Sequence, residues 1–277
     1  MPIANVGGLD LYHEVAGEGS TVLFIGGTGG DLRRRPNVFD GPLVERFRVA
    51  AHDQRGLGRS AKPDGPYTMA DYADDAAALL DHLGWAQAGV LGVSFGGMVA
   101  QELVLRHPDR VSRLVLACTS SGGAGGASYP LHEMADLPPD ERFAAHLALA
   151  DTRCDVAWQA AHPEVVAALR AQADAGEALT AGDDPAAVVG ARLQLEARRH
   201  HDTFDRLGGL RRHVLVAAGD RDGIAPVANS VALAAAIDGA RLEVFDGGHL
   251  FLLQDPRAWD TIVAFLLGDP SPPRPSR

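Results

Sequence analysis

A chain of 277 residues, 46% hydrophobic and 22% charged, has the composition of a globular protein able to bury a sizeable core. Its formal net charge of −11 disfavours nucleic acid and anionic membrane surfaces as partners. No apolar run reaches the roughly 18 residues that cross a bilayer.

Met-Pro-Ile-Ala-Asn at the start lacks the basic-then-apolar order of a signal peptide. The two cysteines, Cys118 and Cys154, make no disulfide framework, so the expected setting is a reducing cytoplasm.

Residues 3–6 and 9–15 read as short strands around Gly7-Gly8, a hairpin signal. Residues 21–25 form a buried strand that leads into Gly26-Gly27-Thr28-Gly29-Gly30, and 47–51 form another that ends at His52-Asp53-Gln54-Arg55-Gly56. Met69, Tyr72, Ala76, Leu79, Leu80 and Leu83 recur at helical spacing and predict a helix over 68–83. The strand 88–93 runs into Ser94 and a helix that stops before Pro108, and the strand 111–117 follows. From about 125 to 205 the strand pattern ceases. Ala, Leu, Glu and Arg dominate there, with breaks at Pro130, Pro138-Pro139, Pro163, Gly182 and Pro185, as in several consecutive helices. Strands resume at 213–218 and 241–245, followed by helices at 227–236 and 256–267. The tail 268–277 carries four prolines and reads as disordered.

Strands alternating with helices predict an α/β fold. The sheet is expected to be eight-stranded and mostly parallel, with helices on both faces and an antiparallel edge from the first hairpin. The helical block falls between strands six and seven and reads as a lid over the carboxyl edge of the sheet, where open α/β sheets bind ligands. The expected division is a core of 1–124 and 206–267, a lid of 125–205 and a tail of 268–277.

Gly92-Val93-Ser94-Phe95-Gly96 puts a hydroxyl on a glycine-pinched turn between a strand and a helix. A serine hydroxyl is a weak nucleophile at neutral pH, so it needs a base, a carboxylate to orient that base, and donors for the developing oxyanion. Two carboxylates compete in Gly219-Asp220-Arg221-Asp222-Gly223. Asp222 lies deeper in the strand-to-helix loop and is favoured over Asp220; ordinary turn residues are the alternative. Asp246-Gly247-Gly248-His249 follows the last strand and makes His249 the base. His52 and His107 read as strand-end and helix-end residues, and His13 and His82 as surface positions. One oxyanion donor is expected from the N–H of Phe95 and the other from the loop 26–30. That loop lacks the third glycine of a dinucleotide fingerprint, since Leu32 stands there. No metal or other cofactor is expected. The pairs Asp74-Asp75 and Asp183-Asp184 have no His/Cys cluster beside them and read as solvated faces.

In this order, these residues resemble the α/β-hydrolase fold superfamily, in particular its small esterase-, enol-lactonase- and haloperoxidase-like members. The resemblance rests on 92–96, on Asp53-Gln-Arg-Gly-Leu-Gly-Arg-Ser60, on 219–226 and on Gly247-Gly248-His249. It implies Ser94 as nucleophile, Asp222 as acid and His249 as base, with the N–H groups of Thr28 and Phe95 as oxyanion hole. One departure stands out: the family's His-Gly before the oxyanion residue is here Gly26-Gly27. The expected function is a serine hydrolase of a small ester or lactone, acting through an acyl-enzyme on Ser94. The same site could serve carbon–carbon bond hydrolysis, perhydrolysis or a lyase reaction, and a non-catalytic ligand-binding member of the fold is a further alternative. A small-molecule substrate is the expected partner, with a homodimer left open. Phe143 and Trp158 are candidates for an apolar substrate pocket in the lid, where helix packing also accounts for them.

Overall fold

Near-continuous apolar runs such as Ala-Gly-Val-Leu-Gly-Val and Val-Leu-Val-Ala-Ala-Gly can only be buried on both faces, which places them at the centre of a sheet. The computed structural model, which describes residues 2–134, 136–181 and 185–268, bears this out. Its strands are β1 (Ile3–Val6), β2 (Leu9–Ala16), β3 (Thr21–Ile25), β4 (Arg48–His52), β5 (Ala88–Val93), β6 (Val111–Ala117), β7 (His213–Gly219) and β8 (Arg241–Phe245). They form one eight-stranded sheet in the order β1-β2-β4-β3-β5-β6-β7-β8. β2 pairs antiparallel with β1 and with β4, and all other pairings are parallel.

Side chains alternate across this sheet. Val90, Leu114 and Leu116 face a core shared with α1 (Met69–His82) and α2 (Phe95–Arg106), whereas Leu91, Val115 and Ala117 face a second core. The helices α3 (Pro139–Ala150), α4 (Val156–Ala161), α5 (Pro163–Ala181) and α6 (Pro185–Arg199) form the lid between β6 and β7. Three of the breaking prolines thus open helices, where a missing N–H removes no helical bond. α7 (Val227–Ala235) joins the first core through Leu233. Past the short α8 (Phe251–Gln254), α9 (Arg257–Leu267) covers the second core with Ala258, Ile262 and Leu266. α8 escaped the sequence reading because four residues are too few to show a period.

Two polar residues lie elsewhere than expected. His13 is buried, with its ring edge-on to His82 at the end of α1 (centroids 5.4 Å apart). Asp75 is not solvated: Arg55 donates to both its oxygens, at 2.6 and 2.7 Å. Gly182, Asp183-Asp184 and the tail from 269 onward lie outside the described residues.

Candidate active site

Ser94 stands between β5 and α2 at φ 55° and ψ −117°, a region that side chains rarely adopt. Neighbouring backbone holds it there. Its N–H donates to the Ala117 carbonyl oxygen and its own carbonyl accepts from the Thr119 hydroxyl, both at 2.8 Å. The turn closes because position 96 is glycine: a Cβ there would run into the Ile25 carbonyl oxygen.

Asp222 follows β7, its side chain fully buried. Its Oδ1 accepts from the N–H groups of Ile224 and Ala225, each at 2.8 Å. Its Oδ2 lies 2.7 Å from Nδ1 of His249, and Nε2 of the same ring lies 2.9 Å from Ser94 Oγ. A proton on Nδ1 shared with Asp222 leaves Nε2 to accept from the serine hydroxyl. Ser94, Asp222 and His249 therefore form one continuous relay, although 155 positions separate the serine from the histidine. Asp220 stays out of it; its Oδ1 accepts from the Gly247 N–H at 3.2 Å and so supports the histidine loop.

The N–H groups of Phe95, at the start of α2, and of Thr28 have no acceptor among the described residues. The Thr28 loop runs close to the nucleophile, since a Cβ on Gly27 would sit 3.4 Å from that of Ser94. Two buried glutamines brace this loop. Gln54 Nε2 donates to the Gly26 carbonyl oxygen at 2.9 Å, and Gln194 Oε1, on α6, accepts from the Gly29 N–H at 2.8 Å. Neither glutamine was singled out from the sequence. Gln54 lies within residues 53–60, one of the stretches that carry the family resemblance. Gln194 is a lone amide on a helix, and no spacing signals it.

The lid is stitched to both catalytic loops at the end of α3. The Ala150 carbonyl oxygen accepts from the His249 N–H at 2.6 Å, and the Leu149 carbonyl from the Gly223 N–H at 2.9 Å. This approach requires glycine at 248, where a Cβ would strike the Ala150 carbonyl oxygen. Burial, and then the neighbouring His249, hold the imidazole of His146 on α3 below its usual range. Phe143, one turn earlier on α3, lies under the Arg170 guanidinium at 5.3 Å, and Trp158 stacks on His162 with centroids 4.5 Å apart. Among the described residues, no three His, Cys, Asp or Glu side chains cluster as metal ligands, and no helix is long and apolar enough to cross a membrane.

The comparisons with known proteins agree with this geometry. Residues 20–166 match the alpha/beta hydrolase fold family. The chain is 33% identical to the protein named putative carbamate hydrolase RutD of Caulobacter sp. (strain K31), over 94% of this chain and 96% of that protein. It is 31% identical to the poly(3-hydroxyalkanoate) depolymerase of Ectopseudomonas oleovorans, over 87% and 82% of the two chains. The crystal structure of the enol-lactonase from Burkholderia xenovorans LB400 superposes with a TM-score of 0.76 at 26% identity, covering 97% of this chain and all of that one (100%). With a Ser-His-Asp triad on a mostly parallel sheet beneath a helical lid, the chain belongs to the alpha/beta hydrolase fold family.

Proposed function

We propose that this protein hydrolyses small carboxylic esters or lactones by a two-step acyl transfer on Ser94. His249 takes the hydroxyl proton as Ser94 Oγ attacks the carbonyl carbon, and Asp222 steadies the imidazolium that forms. The unpaired N–H groups of Thr28 and Phe95 receive the oxyanion. His249 then protonates the leaving oxygen, which departs as alcohol or stays tethered if the substrate is a lactone. A water molecule, deprotonated by the same ring, releases the acid and restores the serine. The observation that carries this reading is the unbroken relay from Asp222 through His249 to Ser94. The relatives' names point the same way, because carbamates, polyesters and enol-lactones all present an acyl carbon to a nucleophile.

In the same reading, Phe143 belongs to the apolar wall of the pocket, because it lies one turn from His146 on α3. Trp158, engaged by His162, serves the packing of the lid. We also place the protein in a reducing cytoplasm, on its two free cysteines. The lid excursion of 125–205 and the core of 1–124 and 206–267 are our proposed units.

Turnover of 4-nitrophenyl acetate and butyrate by the wild type and by Ser94→Ala tests the reading. Loss on the order of 10⁶-fold is expected where the whole triad acts. A fluorophosphonate probe should label the wild type and not the variant. Equal rates in the two proteins would remove the assignment, and a folded wild type that resists labelling would point to a ligand-binding member of the fold.

A further inference from the structure

The lid helix α6 turns one face to the sheet. Its buried residues Gly190, Gln194, Ala197 and Arg198 recur at helical spacing. Gln194 reaches the oxyanion loop, and Arg198 comes one turn later. Only 6% of Arg198 is exposed. Its Nη1 donates to the Tyr129 carbonyl oxygen and its Nη2 to the Ser128 hydroxyl, both at 2.8 Å. Both acceptors are neutral. Among the described residues no carboxylate pairs with this guanidinium, and its Nε is buried without an acceptor. Burial pushes it down to about 10, so it remains a cation at neutral pH. A buried charge without a counter-ion is among the costliest arrangements in a protein interior, and it points to a partner that arrives from outside.

Arg198 lines a cavity of about 160 Å³ with Met98, Ala127, Pro130, Ser120 and Ser128, and none of the cavity's lining residues is a carboxylate. Ser120 donates to the Ser128 hydroxyl at 3.3 Å, so both serines belong to the arginine's hydrogen-bond network. Three other basic side chains, His132, Arg199 and His201, line the cavity. Arg199 has Glu196 at 3.9 Å, and His201 is neutral, since burial pushes it down to about 4. Two of its lining residues adjoin the turn of the nucleophile, although Ser94 and His249 do not themselves line it. Met98 stands four residues after Ser94, roughly one turn or 6 Å along α2. Ser120 directly follows Thr119, whose hydroxyl holds the Ser94 carbonyl.

We propose that this cavity is a carboxylate subsite and that the substrate is an acidic ester or lactone. Its carboxylate pairs with Arg198, and its short aliphatic link lies on Met98, Ala127 and Pro130. A carboxylate matches a guanidinium that has no anionic partner among the described residues, and its Nε–H has no acceptor there. The inference deepens the hydrolase reading and rests on Ser94 as the reacting centre.

Calorimetric titration of the Ser94→Ala protein tests it without turnover. The probes are succinate, glutarate and adipate, each set against the monocarboxylate of the same length: butanoate, pentanoate and hexanoate. At least one diacid should bind ten-fold or more tightly than its monoacid, and the margin should shrink as salt is added. Adding Arg198→Met should abolish the margin, and Arg198→Lys should keep part of it. If no diacid outbinds its monoacid, or if the margin survives Arg198→Met, the subsite is overturned. Should the methionine variant fail to fold, the Ser94→Ala protein and the lysine variant still decide. If the margin is present but the wild-type serine resists the fluorophosphonate probe, the subsite stands and the hydrolase reading falls.

Discussion

His249 hangs its backbone N–H on the carbonyl oxygen of Ala150, 2.6 Å away at the end of a lid helix. Its ring is held at Nδ1 by Asp222. The general base is therefore fixed from two sides, by the core through its side chain and by the lid through its main chain. A lid joined this closely to the base is expected to help position the imidazole as well as cover the site.

Asp222→Asn should keep the fold, because an amide oxygen can still accept from the N–H groups of Ile224 and Ala225. It offers no negative charge to the imidazolium and favours the wrong tautomer. We expect kcat to fall by about 10⁴ with little change in KM or Tm. Steady-state kinetics on 4-nitrophenyl butyrate measure this, and a loss of less than ten-fold would count against Asp222 as the orienting acid.

Asp151 anchors the lid tether. It accepts from the N–H and Nε of Arg153, and Gln254 bridges it to the histidine loop, donating to Asp151 Oδ2 at 2.9 Å and accepting from the Gly248 N–H at 2.7 Å. Asp151→Ala should lower kcat about ten-fold, with a loss of stability of about 1–3 kcal/mol from the donors left unpaired. Asp151→Asn keeps an acceptor and should recover part of the rate. Unchanged kcat in the alanine variant, measured below its melting range, would mean that the tether does not position the base.

Gln194→Leu removes the acceptor for the Gly29 N–H and loosens the loop that carries Thr28. Acting through the proposed oxyanion donors, it should reduce kcat by less than the 10²–10³ typical of losing a donor outright, roughly ten-fold, and leave KM nearly as it was. Gln194→Glu retains the acceptor and should restore most of the rate. A rise in KM at constant kcat would instead make Gln194 a substrate contact.

His52 is buried, and burial pushes its imidazole down to about 4, with His13 adding a smaller push. The unfolded chain binds this proton near pH 6.5. The unfolded state therefore holds more protons between those values, and stability falls as pH drops through that interval. The contribution is complete above about 6.5 and lost below about 4, and it amounts to roughly 3 kcal/mol. His52→Gln should flatten the decline, leaving the share due to the other histidines that burial lowers, His13, His146 and His201, the last also pushed down to about 4. Denaturant unfolding at pH 4, 5, 6 and 7 measures the slope, and an unaltered slope in the variant would refute the assignment.

The sequence alone determined the sheet, the serine turn and the two loops that bring Asp222 and His249 to its edge. Each of these is written in near neighbours: a period of two or 3.6, a glycine pinch, or a short polar run after an apolar one. Even there the order of chemistry in the chain did most to choose Asp222 and His249. Only the tertiary structure decided how the site is braced. The bond from Gln194 to Gly29 joins residues 165 positions apart and leaves no spacing to detect. The pairing of Asp75 with Arg55, the burial of His13 and the placement of the Arg198 guanidinium against neutral acceptors depend likewise on what the folded chain places opposite them. A charged residue on a helix looks the same in sequence whether it meets water, a carboxylate or a cavity, because burial is a property of the surroundings and not of the residue.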